Sequence, residues 1–250
     1  MNRQTTIVIP CYNEAERLPV GELLDFAKKH DNIFFIMVND GSTDNTAAII
    51  NHLCDILPNK ISAIHLPHNV GKGEAVRAGL MESIQIKSDY TGFLDADLST
   101  PLKEIDRLIS ILQNKSKVEA VFGARVQLLG RNINRKPQRH YIGRIFATIF
   151  SLILRLPVYD TQCGAKVFRI TPKFRRIISE KFITRWLFDV EIIARFFKYS
   201  EKDTNASPLI YEEPLLEWQH MQGSKIGINN FFQILSETYK LWKNYKKKTP

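Results

Sequence analysis

Along the first half of the chain, short apolar runs alternate with longer stretches whose apolar positions recur at helical spacing. The runs "TTIVIP", "NIFFIMVND", "KISAIHLP", "YTGFLDADLS" and "VEAVFGARV" are apolar almost throughout, the pattern of strands buried on both faces. Between them, "ERLPVGELLDFAKKH" (16–30) carries Leu18, Leu23, Leu24, Phe26 and Ala27 at positions compatible with a helix. "GSTDNTAAIINHLCDIL" opens on cap-forming residues and continues as an amphipathic helix. "NVGKGEAVRAGLMESIQI" reads as a glycine-containing loop and a helix. "TPLKEIDRLISILQ" reads as a helix with Thr100 as N-cap and Pro101 in its first turn. This alternation predicts an α/β fold: a mostly parallel sheet with helices on both faces. Such sheets bind ligands at the carboxyl ends of their strands. The polar clusters Tyr12-Asn13-Glu14, Asn39-Asp40-Gly41 and Asp95-Ala96-Asp97 fall at those ends and should share one edge.

After about residue 128 the pattern changes. "RNINRKPQRHYIGR" is basic and irregular, and "IFATIFSLIL" places ten uncharged residues between Arg144 and Arg155. Ten residues cannot span a bilayer, which needs about 20. A buried core helix and a helix lying in the membrane interface both fit. The chain closes with "FFQILSETYKLWKNYKKKTP", an amphipathic helix running into lysines.

Charge sharpens the division. The 250 residues carry a net charge of +9, but residues 1–100 hold 8 Lys and Arg against 13 Asp and Glu, and residues 101–250 hold 27 against 13. The second part is therefore built to meet an anion: phosphate, acidic lipid or nucleic acid. The cysteines, Cys11, Cys54 and Cys163, lack metal-ligand or disulfide spacing and read as reduced thiols of a cytosolic protein. "MNRQTTIVIP" is not a signal peptide, and this argues against secretion.

Two carboxylates one residue apart at a strand end, Asp95 and Asp97, can share a hard divalent cation, Mg²⁺ or Mn²⁺. They can equally cap a turn. In "NDGSTDNT", Ser42, Thr43 and Asp44 suit capping, whereas Asp40 can accept hydrogen bonds from a nucleobase or ribose. "NVGKGEAVRAG" lacks Walker spacing, which speaks against an ATPase.

Taken together, "VIPCYNEAERL", "VNDGSTDNT", "HNVGKGEAVRAG" and "DADLSTP" resemble the nucleotide-sugar-dependent inverting glycosyltransferases of GT-A (Rossmann-like) fold. The resemblance continues through "FGAR", "DTQCGAKVF", "RWLFDVEII" and "WQHMQGSKI", covering about residues 5–228. It leans towards dolichyl-phosphate glucosyltransferases, beside the mannosyltransferases and bacterial polyprenyl-phosphate relatives. The resemblance implies that Pro10, Tyr12 and Glu14 line the nucleotide pocket, Asp40 bonds the base and Lys72 lies in a loop near the nucleotide. It also implies that Asp95 approaches the ribose and metal, and that Asp97 ligates the metal and is catalytic. Asn39 stands where a second acid is common, and Ser99 where some polyprenyl-phosphate mannosyltransferases have glutamine.

By the same resemblance Arg125 and Arg139 lie near the donor and acceptor phosphates; Arg131, Arg135, Lys136 and Arg144 are further candidates by their proximity in sequence. Arginine suits the task because its planar fork binds phosphate bidentately. No acid occurs between Glu119 and Asp160. Asp160 matches a residue proposed as catalytic base. However, a phosphate monoester with its second pKa near about 6 is mostly ionised at neutral pH, so Asp160, kept as a catalytic candidate, can instead orient the acceptor or an arginine, or take the last proton when nearby anions raise the phosphate pKa. Asp189 is placed beside the sugar pocket, with a buried pair to Arg185 or Lys166 as the alternative. Trp218 could close over the sugar or lipid, and Lys225 could bind the diphosphate. His65, His68 and His140 form no metal triad.

The expected protein is a metal-dependent inverting hexosyltransferase moving glucose from UDP-glucose to a polyprenyl or dolichyl phosphate. Its expected divisions are a catalytic domain at 1–228, with a donor part to about 127, and a basic tail at 229–250. It would be cytoplasmic and peripheral on the inner face of a membrane, with no transmembrane helix at its C-terminus, no nucleic-acid partner, and an oligomeric state left open. A saccharide acceptor is the alternative, and a non-catalytic membrane or nucleic-acid-binding module is a further one.

Overall fold

The computed structural model describes residues 3–134, 148, 158–200, 209–221 and 230–245. The first half alternates as the pattern predicts: β1 (Thr5–Cys11), α1 (Val20–Lys29), β2 (Ile33–Asn39), α2 (Thr46–Ile56), β3 (Ile61–His65), α3 (Lys72–Gln85), β4 (Tyr90–Leu94), α4 (Lys103–Asn114) and β5 (Ala120–Ala124). There follow β6 (Asn132–Asn134), β7 (Ala165–Arg169), α5 (Pro172–Ser179), α6 (Phe188–Lys198), β8 (Ile210–Pro214), β9 (Glu217–Gln219) and α7 (Asn230–Tyr245).

Seven strands form one sheet in the order β3-β2-β1-β4-β7-β5-β8, and β6 pairs with β9 in a small second sheet. All neighbours in the large sheet are parallel except β7, which runs antiparallel between β4 and β5. The period-2 alternation sorts side chains into two layers. Ile7, Ile9, Phe35, Met37, Leu94, Val121 and Val167 face α1, α2 and α4. Val8, Ile36, Val38, Phe93, Phe122 and Phe168 face α3, α5, α6 and α7.

Three boundaries differ from the sequence expectation. Helix α1 starts at Val20, after Pro19, because proline suits a helix start and not its interior. Strand β1 continues through Pro10 to Cys11. Thr5 N and Cys11 O bond towards the β2 side, so by alternation Pro10 faces β4, whose pairing has already ended at Val8↔Phe93. No ladder bond is lost. Thr100 does not cap α4: the helix starts at Lys103 without a side-chain cap, and Ser99 O accepts from Gln219 N at 2.9 Å, holding the preceding segment to β9.

Candidate active site at the carboxyl edge of the sheet

The loops after β1 and β2 are stitched together by small polar side chains. Asn13 N donates to Ser42 Oγ (3.0 Å), Thr43 N to Asn13 Oδ1 (2.8 Å) and Glu14 N to Thr46 Oγ1 (2.8 Å). Asp44 Oδ1 accepts from Thr46 N at 3.0 Å, so these residues cap and brace. Asn39 also serves the turn: its Oδ1 accepts from Ser42 N, and its amide meets His65 Nδ1 at 3.2 Å. The Glu14 carboxylate pairs with Arg17 at 2.5 Å, and Pro10 and Tyr12 lie half-buried at the end of β1.

Asp40, directly after β2, is buried. Its oxygens accept from Val70 N at 2.7 Å, Gly71 N at 3.0 Å and Asn69 Nδ2 at 3.0 Å. Burial raises its pKa, and the two amides, Arg185 and His68 offset this only in part. Asp40 thereby fastens the loop that opens α3. Gly71 sits at φ +98°, and a Cβ there would lie 2.6 Å from the Arg185 side chain, so the turn needs glycine.

The fastened loop aims Lys72, the first residue of α3. Its Nζ lies 2.5 Å from Asp95 Oδ1, with the two side chains 35% and 32% exposed. Asp95 follows β4, and its backbone N donates to Gly164 O at 3.1 Å. A Cβ at Gly164 would come 2.0 Å from Asp95 Oδ2, so glycine makes room for the carboxylate. Burial pushes the Asp95 pKa up, but Lys72, then Lys166 and Arg125, hold it below the ordinary aspartate value. Burial likewise disfavours the Lys72 ammonium, but Asp95, Asp189 and Asp97 raise its pKa on balance.

Asp97 stands apart from these pairs. It is half-exposed in a turn where Leu98 adopts φ +46°, and its Oδ1 accepts from Ser99 N at 3.0 Å. Among the described residues its Oδ2 has no hydrogen-bond partner. Also among the described residues, no group of three or more His, Cys, Asp and Glu side chains could hold a metal by itself. The remaining Asp97 oxygen is of the type that suits a hard divalent ion, which would have to take its other oxygens from phosphate and water.

Behind this edge lies a buried layer. Lys166 on β7 is fully buried, 2.6 Å from Asp189 Oδ1 and 2.5 Å from Cys163 O, between the rings of Phe93 and Phe122 at 5.3 and 5.0 Å. The approach to Asp189 Oδ1 is an ion pair without hydrogen-bond alignment. Of the two partners weighed for Asp189, the structure selects Lys166; Arg185 instead bonds Asn69. Burial raises the Asp189 pKa, and Lys166 and Lys72 oppose it.

On the other side, Asp160 grips Arg125. Its Oδ2 accepts from Arg125 Nε at 2.7 Å and Arg125 N at 3.0 Å, and its Oδ1 from Arg125 Nη2 at 2.8 Å. The guanidinium also lies 5.4 Å from the Trp218 ring centre. Burial, reinforced by Asp160, pushes the Cys163 thiol up to about 11, so it is neutral near pH 7.

The structure thus brings together Lys72, Asp95, Asp97, Arg125, Asp160 and Asp189, with Asp40 bracing from behind. Arg131 is half-buried just before β6, its backbone N bonded to Leu128 O at 3.1 Å. Arg135, Lys136, Arg139, His140, Arg144, the segment 145–154 apart from Thr148, and Lys225 lie outside the described residues. One supporting residue escaped the sequence reading. Glu212 on β8 accepts from Tyr159 N at 2.8 Å and Asp160 N at 2.9 Å and so holds the segment that presents Asp160. It lies 52 positions from Asp160 in a strand with no motif, and only the sheet order joins them.

Comparison with known proteins identifies the family. Residues 6–173 match the family model described as "Glycosyl transferase family 2". A dolichyl-phosphate beta-glucosyltransferase of Trichomonas vaginalis is 30% identical over 92% of this chain and 68% of that protein. The proteins of the same name from Dictyostelium discoideum and Homo sapiens are 31% and 30% identical, each over 90% of this chain, spanning 69% and 70% of their own lengths. Glucosyl-3-phosphoglycerate synthase from Mycobacterium tuberculosis, crystallised with Mn²⁺, UDP-glucose and phosphoglyceric acid, superposes with a TM-score of 0.71 at 15% identity. That match covers 98% of this chain and 80% of the other, and it shows a shared GT-A fold. Because that family model matches more than half of the chain, this chain belongs to glycosyl transferase family 2.

Proposed function

We propose that the protein transfers glucose from a nucleotide-activated donor, UDP-glucose, to the phosphate of a polyprenyl or dolichyl lipid, inverting the anomeric centre. The observation that carries this reading is its similarity to dolichyl-phosphate beta-glucosyltransferases along about nine-tenths of the chain. The edge geometry supports it chemically. Asp97 would hold Mg²⁺ or Mn²⁺ through its half-exposed carboxylate, and the ion would supply positive charge to the departing diphosphate. Lys72, paired with Asp95 two residues before Asp97, adds a second positive group.

Arg125 presents a forked cation near the same edge, and Asp160 fixes its plane and rotamer. The acceptor phosphate is mostly ionised at neutral pH, so its oxygen can attack without a base. Asp160 therefore works by positioning Arg125. Arg139, Arg144, Arg131 and Lys225 extend the basic surface offered to the lipid phosphate, and Asp189 supports the sugar side of the pocket. Pro10, Tyr12, Glu14 and Asp40 shape the nucleotide side.

The test is to incubate the purified chain with a short polyprenyl phosphate, Mg²⁺ or Mn²⁺ and a panel of nucleotide sugars, then weigh the lipid product by mass spectrometry. A hexosyl-phosphoryl lipid formed from UDP-glucose, and lost with chelator, is the expected result. Turnover of the donor onto a saccharide with no lipid product would reject the acceptor assignment.

A further inference from the structure

Helix α7 has two chemically opposite faces. Its inner face is pinned to the wall of the site. Buried Glu237 accepts from Arg185 N at 3.1 Å through Oε1, and from Trp186 N at 2.9 Å and Leu187 N at 3.0 Å through Oε2. It thus caps the segment leading into α6, whose second residue is Asp189. Leu241 and Tyr245 bury in the same layer, and the Tyr245 hydroxyl donates to Glu191 Oε1 at 3.2 Å.

The outer face exposes large apolar side chains one helical turn apart: Leu235 (44%), Tyr239 (60%) and Trp242 (40%), with the last two rings stacked. Exposed Lys240 and Lys243 flank them. Glu237, the only acid in α7, points inward, so the outer face carries no negative charge. The sequence then adds Lys246, Lys247 and Lys248. Leucine and amphipathic aromatics between lysines complement the headgroup layer of an anionic bilayer, whereas a protein partner of equal charge would be repelled.

We infer that α7 is an interfacial helix that lays the Leu235–Tyr239–Trp242 face on an anionic lipid surface. Because Glu237 ties the opposite face to the α6 entry, docking fixes the orientation of the segment that carries Asp189 relative to the bilayer. No helix among the described residues is long and apolar enough to cross a membrane. The inference rests on the lipid acceptor proposed above, but its test does not.

The full chain is sedimented with phosphatidylcholine vesicles with and without phosphatidylserine, and indole fluorescence is recorded. Binding should require phosphatidylserine and weaken in high salt, with a blue shift that Trp242→Phe abolishes. Leu235→Ser with Tyr239→Ser should cut partitioning about tenfold or more, with unchanged circular dichroism and unchanged glucosylation of a short, water-soluble prenyl phosphate. Lys240→Gln with Lys243→Gln should reduce the preference for phosphatidylserine and keep the fold. Vesicle binding by the Leu235/Tyr239 variant equal to wild type would overturn the docking face. So would a wild type that ignores vesicles, or one whose outer face instead mediates a dimer seen by light scattering. Failure of the wild type on the soluble acceptor would reject the proposed reaction and leave the vesicle result standing.

Discussion

Two charge clusters on the same face of the sheet use the same groups to opposite ends. In the first, Glu191 and Arg195 pair at 2.7 Å with both side chains almost wholly buried. Arg195 also donates to Ile177 O, Glu180 O and Lys181 O, while Glu191 accepts from Ile183 N, Thr184 N and Thr184 Oγ1. The Glu191 side is bonded throughout, so the pair locks α6 to the turn before it. In the second, Lys72–Asp95 is one-third exposed, Lys166–Asp189 is poorly aligned, and Asp97 keeps an oxygen without a hydrogen-bond partner among the described residues. A saturated cluster has nothing left to offer a ligand; an incompletely satisfied one does.

The comparison breaks most sharply at Asp97. Asp97→Asn should lower lipid glucosylation by about 10²–10³-fold, the scale of losing one preorganised charge contact, with thermal unfolding unchanged. Activity within tenfold of wild type would remove Asp97 from the reaction. The saturated cluster should behave in reverse. Glu191→Gln leaves Arg195 buried beside a neutral partner and should destabilise the fold by about 3–5 kcal/mol in denaturant titrations. The activity of the remaining folded fraction should hardly change.

A smaller effect is expected one step behind the reaction. Glu212→Gln should loosen the Asp160 segment and raise the KM for lipid phosphate several-fold, leaving nucleotide-sugar affinity, read by calorimetry, unaltered. Equal loss of both would mark a general defect. The smallest signal is acid stability. The Asp95 carboxyl titrates below its unfolded value, so its contribution is present above that value and is lost as pH falls through the folded pKa. Asp95→Asn should flatten the wild-type decline in stability below about pH 4.

The first five strands and four helices were legible because each strand is continuously apolar and each helix carries its own periodic face. The acids at the ends of β2 and β4 were legible for the same reason: a carboxylate directly after a buried strand has few places to go. "DTQCGAKVF" gave no such signal for β7, because an antiparallel strand inserted between β4 and β5 takes its position from partners far away. Lys166 interrupts its apolar run, and only the face shared with Phe93 and Phe122 explains how a buried ammonium is accommodated.

Chain order alone therefore settled the alternating architecture, the edge where the acids collect and the basic character of the later half, since these depend on local pattern and composition. Tertiary contacts decided which acid is held by which cation. Ion pairing and hydrogen bonding act over a few ångströms through space, and the partners Lys72–Asp95, Lys166–Asp189 and Arg125–Asp160 are 23 to 35 positions apart along the chain. Only the folded sheet brings them within reach.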